Sequence, residues 1–193
     1  MGKAHHGHLK GLTIMAPKRR KIFLIGYRAT GKSSVGRELA RIMGCSFLDL
    51  DDQIEAAAGA TIAEIVEKNG WDHFRAMEKS ALKEAIEKQG SMVIACGGGI
   101  VLHPELMEAA KRTSVVVWLT APIDVMKRRI ASDSTSATRR PSLSGDDIEK
   151  EISEILKQRE PLYRKFSHFE IDTFEKGPFQ LAREISEATK YAR

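Results

Sequence analysis

Cysteine is scarce in this chain: Cys45 and Cys96 are the two among 193 residues, and they stand in no C-x-x-C pattern. A disulfide framework and a cysteine zinc site are thereby excluded. No stretch approaches the roughly 20 apolar residues of a membrane span. The first twenty residues lack the apolar core of a signal peptide, so the chain reads as soluble and cytosolic, with no membrane partner. Acidic residues are missing from that same stretch, which holds five of the 31 Lys/Arg and none of the 26 Asp/Glu. The remainder therefore carries 26 of each sign, and the net charge of +5 belongs to the tail alone. A metal-binding or nucleic-acid arm could use His5, His6, His8 and those cations. With no apolar periodicity to support folding, residues 1–20 read instead as a disordered leader or cloning remnant. No internal repeat and no second-domain boundary is visible, so residues 21–193 are expected to form a single domain.

What is present is an alternation of β-rich apolar runs with helical patterns, the mark of an α/β fold with a mostly parallel sheet and crossover helices. Strands are expected at Ile22–Ile25, Ser46–Leu50, Met92–Ala95, Val115–Leu119 and Phe169–Ile171. Helices are expected at Lys32–Met43, Ile54–Ala58, Ile62–Val66, Phe74–Ile86, Pro104–Ala110, Pro122–Ile130, Asp147–Arg159 and Pro178–Ala192. Between the last two helices but one, Ala131–Gly145 is polar, Ser/Thr-rich and punctuated by Arg139-Arg140-Pro141. A loop that long inside a compact domain is usually functional or disordered.

Gly26–Ser33, GYRATGKS, follows the first strand and opens the first helix, matching G-x-x-x-x-G-K-[ST] in its proper context. Glycines let the backbone N–H groups turn inward around an anion, and the helix N-terminus adds partial positive charge. Lys32 can reach β- and γ-phosphates, and the Ser33 hydroxyl can ligate Mg²⁺. This is a nucleotide phosphate site rather than an ordinary Gly-rich turn.

Ligands in open α/β sheets bind outside the carboxyl ends of the strands. Strand two ends in Asp49-Leu50-Asp51-Asp52, and along an extended chain Asp49 and Asp51 share one side while Asp52 takes the other. Such carboxylates suit Mg²⁺ or proton acceptance; the alternative is a solvated turn with an aspartate capping the next helix. Strand three ends in Gly97-Gly98-Gly99, which lets a ligand approach the main chain or is merely a permissive turn. Cys96 before it reads as a small buried strand residue. Arg75 precedes Glu78 by three residues, either an exposed helical ion pair or a guanidinium fork oriented to grip a carboxylate. Arg159, at the end of its helix before Pro161, is either a favourable terminal charge or part of a site. Arg139 and Arg140 suit delivery to a transferring phosphoryl group. His73, His103 and His168 are scattered and read as surface or internally satisfied residues.

The series GYRATGKSS, LDLDD, HFRAME, CGGG, RRPSL and REPLY, in that order, closely resembles the shikimate kinase family over residues 20–192. The resemblance implies a three-layer P-loop kinase fold of the nucleoside-monophosphate-kinase type. Its five-stranded parallel sheet would run in order 2-3-1-4-5, with a substrate-binding region and a lid over about 131–145. It implies ATP-dependent phosphorylation of the 3-hydroxyl of shikimate, in chorismate and aromatic amino-acid biosynthesis, by a monomer. Lys32 and the loop residues Gly26, Ala29, Thr30, Gly31, Ser33 and Ser34 would hold ATP. Ser33 would ligate Mg²⁺, with Asp49 bound through water. Asp51 would hydrogen-bond shikimate hydroxyls and orient or deprotonate the nucleophile. Arg75 and Arg159 would clamp the carboxylate, and the backbone of Gly97, Gly98 and Gly99 would contact the ring hydroxyls. Arg140 would close with the lid, Arg139 being a second candidate, and Arg129 and Pro178 would lie near adenine. Ser142 departs from the family, which usually has Leu after the Arg-Pro pair, and the Arg129–Arg140 stretch exceeds the usual spacing.

The alternative is another small-molecule kinase of this fold, such as a gluconate kinase; the two arginines arranged with D-x-D and a triple glycine are set against it. A nucleotide kinase would show D-G-[FY]-P-R, and a GTP-binding switch N-K-x-D; both patterns are absent. A nucleic-acid module would need basic character in the folded part, which is net neutral.

Overall fold

The computed structural model describes residues 20–132 and 148–190. The expected lid, with Arg139, Arg140 and Ser142, lies outside those residues apart from its first two positions. Arg20, grouped with the leader by its charge, is tied to the folded part: its carbonyl accepts from the Met92 N–H at 3.2 Å and its guanidinium donates to the Thr189 carbonyl.

Five parallel strands, β1 (Lys21–Ile25), β2 (Ser46–Asp49), β3 (Met92–Ala95), β4 (Val115–Thr120) and β5 (Phe169–Asp172), pair in the order β2-β3-β1-β4-β5. Ile22 stands in register with Val93 on one side and Val115 on the other. That order puts β1, and the loop it feeds, at the middle of the sheet. The three central strands, β3, β1 and β4, are buried on both faces because helices cover both. Phe23, Ile25, Ile94 and Trp118 face one core; Ile22, Leu24, Val93 and Val117 face the other. The helices are α1 (Lys32–Met43), α2 (Leu50–Ala58), α3 (Ile62–Glu87), α4 (Pro104–Thr113), α5 (Ile123–Ser132), α6 (Ile148–Phe166) and α7 (Pro178–Lys190). The first core is closed by α2, α3, α4 and the end of α6, the second by α1 and α7. Among the described residues no helix is long and apolar enough to cross a membrane.

Three local expectations are corrected. Strand β2 ends at Asp49, one residue early, because Asp49 caps α2: its carboxylate accepts the Asp51 N–H at 3.1 Å. Asp51 and Asp52 therefore sit in the first turn of a helix, and strand alternation does not govern them. The helices expected at 62–66 and 74–86 form one run broken at Gly70 (φ 81°, ψ 169°), which a capping box between Thr61 and Glu64 starts. Helix α6 does not stop before Pro161 but continues to Phe166. The missing proline N–H costs about 3 kcal/mol. Full burial of Tyr163 and Phe166 beyond it offsets that loss. Arg159 is consequently a residue of the helix body, not a terminal charge.

Candidate active site

The carboxyl end of β1 opens into a loop with left-handed backbone at Ala29 (φ 61°) and Gly31 (φ 88°) and an unusual φ of 138° at Gly26. Gly26 has no alternative, since a Cβ there would lie 2.3 Å from the Leu119 carbonyl oxygen on β4. The buried Thr30 hydroxyl donates to the Tyr27 carbonyl at 2.8 Å, closing the loop on itself, and Lys32 Nζ reaches the same carbonyl at 2.6 Å. Backbone N–H groups turned inward in such a loop, together with the N-terminus of α1, would attract phosphate. Ser34 lies exposed on the first turn of α1. From α5, Arg129 donates to the Ala29 carbonyl at 3.2 Å and to the hydroxyl and carbonyl of Thr173, both at 3.0 Å. Its fork ties the phosphate loop to the end of β5, five residues before the exposed Pro178 that begins α7.

Beside the loop, the Ser33 hydroxyl donates to Asp49 Oδ2 at 2.5 Å. Burial pushes the Asp49 carboxyl above the usual aspartate value, and the nearby charges of Asp51 and Asp52 push the same way. The hydrogen bond from Ser33 opposes that rise. A hydroxyl and a carboxylate meeting under like-charge pressure form a hard oxygen pair suited to a small divalent cation. Among the described residues no group of three or more His, Cys, Asp or Glu side chains gathers as a metal cage. Two protein oxygens, with phosphate and water completing the shell, fit Mg²⁺. Cys96 is buried and its thiol is pushed well up by desolvation, so it is no nucleophile.

The triple glycine joins this loop to the arginines. A Cβ on Gly98 would lie 3.5 Å from the Arg28 backbone nitrogen and 3.6 Å from the Gly26 carbonyl oxygen, so it packs directly on the phosphate loop. The Gly98 carbonyl in turn accepts from Arg159 Nη1 at 3.1 Å and from the Tyr163 hydroxyl. A Cβ on Gly99 would strike Arg75 Nη1 at 1.9 Å; glycine there makes the slot in which the guanidinium lies. Arg75 sits 5.4 Å from the Trp71 ring and 5.2 Å from the Phe74 ring, and Nη1 donates to Glu78. Glu78 is fully buried, so the pair is not the exposed helical ion pair that spacing alone allows.

The structure thus brings Lys32, Ser33, Asp49, Asp51, Arg75, Gly97–Gly99 and Arg159 to the carboxyl end of the sheet. It also supplies residues that sequence reading missed. Tyr163 closes the REPLY segment, and nothing in the sequence assigns its hydroxyl a partner; the structure gives it the Gly98 carbonyl. Arg28 occupies a variable position of the loop motif and forms a 3.0 Å ion pair with Glu151 on α6, both side chains being largely shielded from solvent. His103 reaches Glu78 Oε2 at 3.1 Å through Nε2, and nothing in the sequence places it there.

The family model for shikimate kinase matches residues 28–190. The chain is 41% identical over 174 residues to the shikimate kinase of Syntrophus aciditrophicus, covering 86% of this chain and 89% of that one. It is 40% identical over 171 residues to shikimate kinase 2 of an Enterobacter species, covering 89% and 96%. Among solved structures it is similar to the shikimate kinase from Acinetobacter baumannii in complex with shikimate, with a TM-score of 0.83 and 34% identity over 91% of this chain and 96% of that chain.

Proposed function

The chain belongs to the shikimate kinase family and uses ATP to phosphorylate shikimate, and we propose that its residues divide this work between a loop for ATP and a glycine-lined pocket for the acceptor. The observation that carries the division is the position of Gly98, packed on the phosphate loop while its carbonyl holds Arg159. The next residue, Gly99, makes room for Arg75. Shikimate is a polyol with one carboxylate. Arg75 and Arg159 grip the carboxylate, each guanidinium presenting planar N–H donors. The backbone of Gly97, Gly98 and Gly99 contacts the ring hydroxyls, which turns the 3-hydroxyl toward Asp51 at the head of α2.

Gly26, Ala29, Thr30, Gly31, Lys32, Ser33 and Ser34 hold the phosphates of ATP, and Arg129 and Pro178 border adenine. In the transfer, the shikimate oxygen forms its bond to the γ-phosphorus as the bond to the ADP oxygen breaks. Asp51 orients the hydroxyl and accepts its proton. Lys32 and Arg140 stabilise the charge on the moving phosphoryl group, so the protein contributes chiefly position and electrostatics. Ser33, and Asp49 through water, would hold Mg²⁺, which when bound neutralises phosphate charge. Both substrates are met within one chain, which works as a monomer with a single kinase domain over residues 21–193 and a lid over about 131–145. Cys45 and Cys96 are both unpaired, as fits a cytoplasmic enzyme.

ADP release coupled to a dehydrogenase reports the reaction directly. Turnover is expected with shikimate and Mg²⁺, and not with gluconate or nucleoside monophosphates; absence of turnover with shikimate overturns the reading.

A further inference from the structure

The Arg75–Glu78 pair has a third member. Glu78 is fully buried on α3, and its Oε2 takes both Arg75 Nη1 and His103 Nε2. His103 is only 10% exposed and comes from another part of the chain, closing the 3₁₀ turn Ile100–Leu102 and preceding Pro104 at the start of α4. The same Gly97–His103 segment therefore acts on the arginine in two ways. Gly99 walls its guanidinium directly, and His103 holds the carboxylate that aims it.

A buried carboxylate oxygen held by donors from two separate elements keeps its place better than one held by a single donor. We infer that His103 is a positioning residue for the acceptor site: its Nε2–H holds the Glu78 carboxylate so that Arg75 presents its remaining N–H groups to the substrate carboxylate. The inference rests on Arg75 being part of the carboxylate grip. Lys79 of α3, together with Glu105, lines the shallow pocket of about 230 Å³ beside His103. That open side lies next to solvent, so the imidazole can be replaced without cutting into the sheet core.

The test is steady-state kinetics of the full chain with shikimate and ATP varied separately, on His103→Leu, His103→Asn and His103→Gln, with Arg75→Ala alongside. Leucine removes the donor, asparagine has one that is too short, and glutamine places an amide N–H near the position of Nε2. Leucine and asparagine are expected to raise the shikimate KM about tenfold while moving the ATP KM less than about twofold, as loss of a hydrogen bond to a charged group implies. Glutamine is expected to recover most of that loss. The inference is overturned if leucine and asparagine leave the shikimate KM within about twofold of the unaltered protein, or raise both KM values together. It is overturned equally if glutamine is as impaired as leucine. Should the leucine variant not fold, the asparagine and glutamine pair decides by the same criteria. If Arg75→Ala itself leaves the shikimate KM unchanged, the carboxylate grip fails, whatever His103 does. If Arg75→Ala raises it and the His103 variants do not, only the role of His103 fails.

Discussion

The phosphate loop is eight consecutive residues shaped by their own backbone, whereas the acceptor side takes one or two groups from each of several segments far apart in sequence. In the loop, Gly26, Ala29 and Gly31 carry the positive φ angles, and Thr30 and Lys32 bond back to Tyr27 within five residues. Across the site, Arg75 and Glu78 come from α3, Gly98 and Gly99 from the turn after β3, His103 from the turn before α4, and Arg159 and Tyr163 from α6. A locally closed loop survives or fails as a unit. A pocket assembled from distant side chains can lose one contact and keep its fold. Substitutions of equal size are therefore expected to behave differently on the two sides.

Two glycines make the sharpest contrast. Gly26→Ala puts a Cβ 2.3 Å from a β4 backbone carbonyl at a φ that L side chains rarely adopt, and neither partner can move away. It is expected to cost about 2–4 kcal/mol and to remove nearly all turnover, measured by thermal melting and ADP release. A Gly26→Ala protein with unaltered melting and full activity would show that the loop is not held by its backbone. In Gly99→Ala the clash is with the tip of Arg75, a flexible side chain that can swing aside. The fold should persist while the shikimate KM rises roughly 10- to 100-fold, because the guanidinium is displaced from its slot. An equal rise in the ATP KM would dissolve the contrast, since it would mean that the two sides are not separable.

The smallest effect expected is electrostatic, at the seam between the two sides. Burial first, and the nearby Asp51 and Asp52 charges with it, hold the Asp49 carboxyl above its ordinary value, so the folded chain favours the protonated acid. That contribution to stability is complete below the ordinary aspartate range and is lost as pH rises through the raised value. A cation at Ser33 and Asp49 would reverse the preference, stabilising the carboxylate. Mg²⁺ added to the ADP-bound protein should therefore raise the melting temperature more at about pH 8 than at about pH 5, and Asp49→Asn should flatten the difference. Equal increments at both pH values in the unaltered protein would remove Asp49 from the proposed metal site.

Features carried by contiguous residues were legible from the chain alone: the phosphate loop, the α1 helix from Lys32 to Met43, the β3 run Met92–Ala95, and the alternation that makes a parallel sheet. Each expresses a local rule, whether backbone freedom at glycine, helical spacing or an apolar run, that needs no knowledge of distant partners. The family motifs added the strand order and named the arginines. Spacing misled where a local signal competed with packing. Pro161 reads as a helix stop, yet burial of Tyr163 and Phe166 carries α6 past it. Asp51 reads as extended chain just past a strand that ends at Leu50, yet the Asp49 cap ends the strand one position earlier and puts Asp51 in a helix. Arg75 and Glu78 read equally well as a solvated pair until α3, the glycine turn and α4 close around them. Tertiary structure alone decided that Gly98 links the phosphate loop to Arg159, that Arg28 pairs with Glu151, and that His103 meets Glu78. These contacts span more than twenty residues each, so they follow from how the helices pack onto the sheet, and no local pattern encodes them.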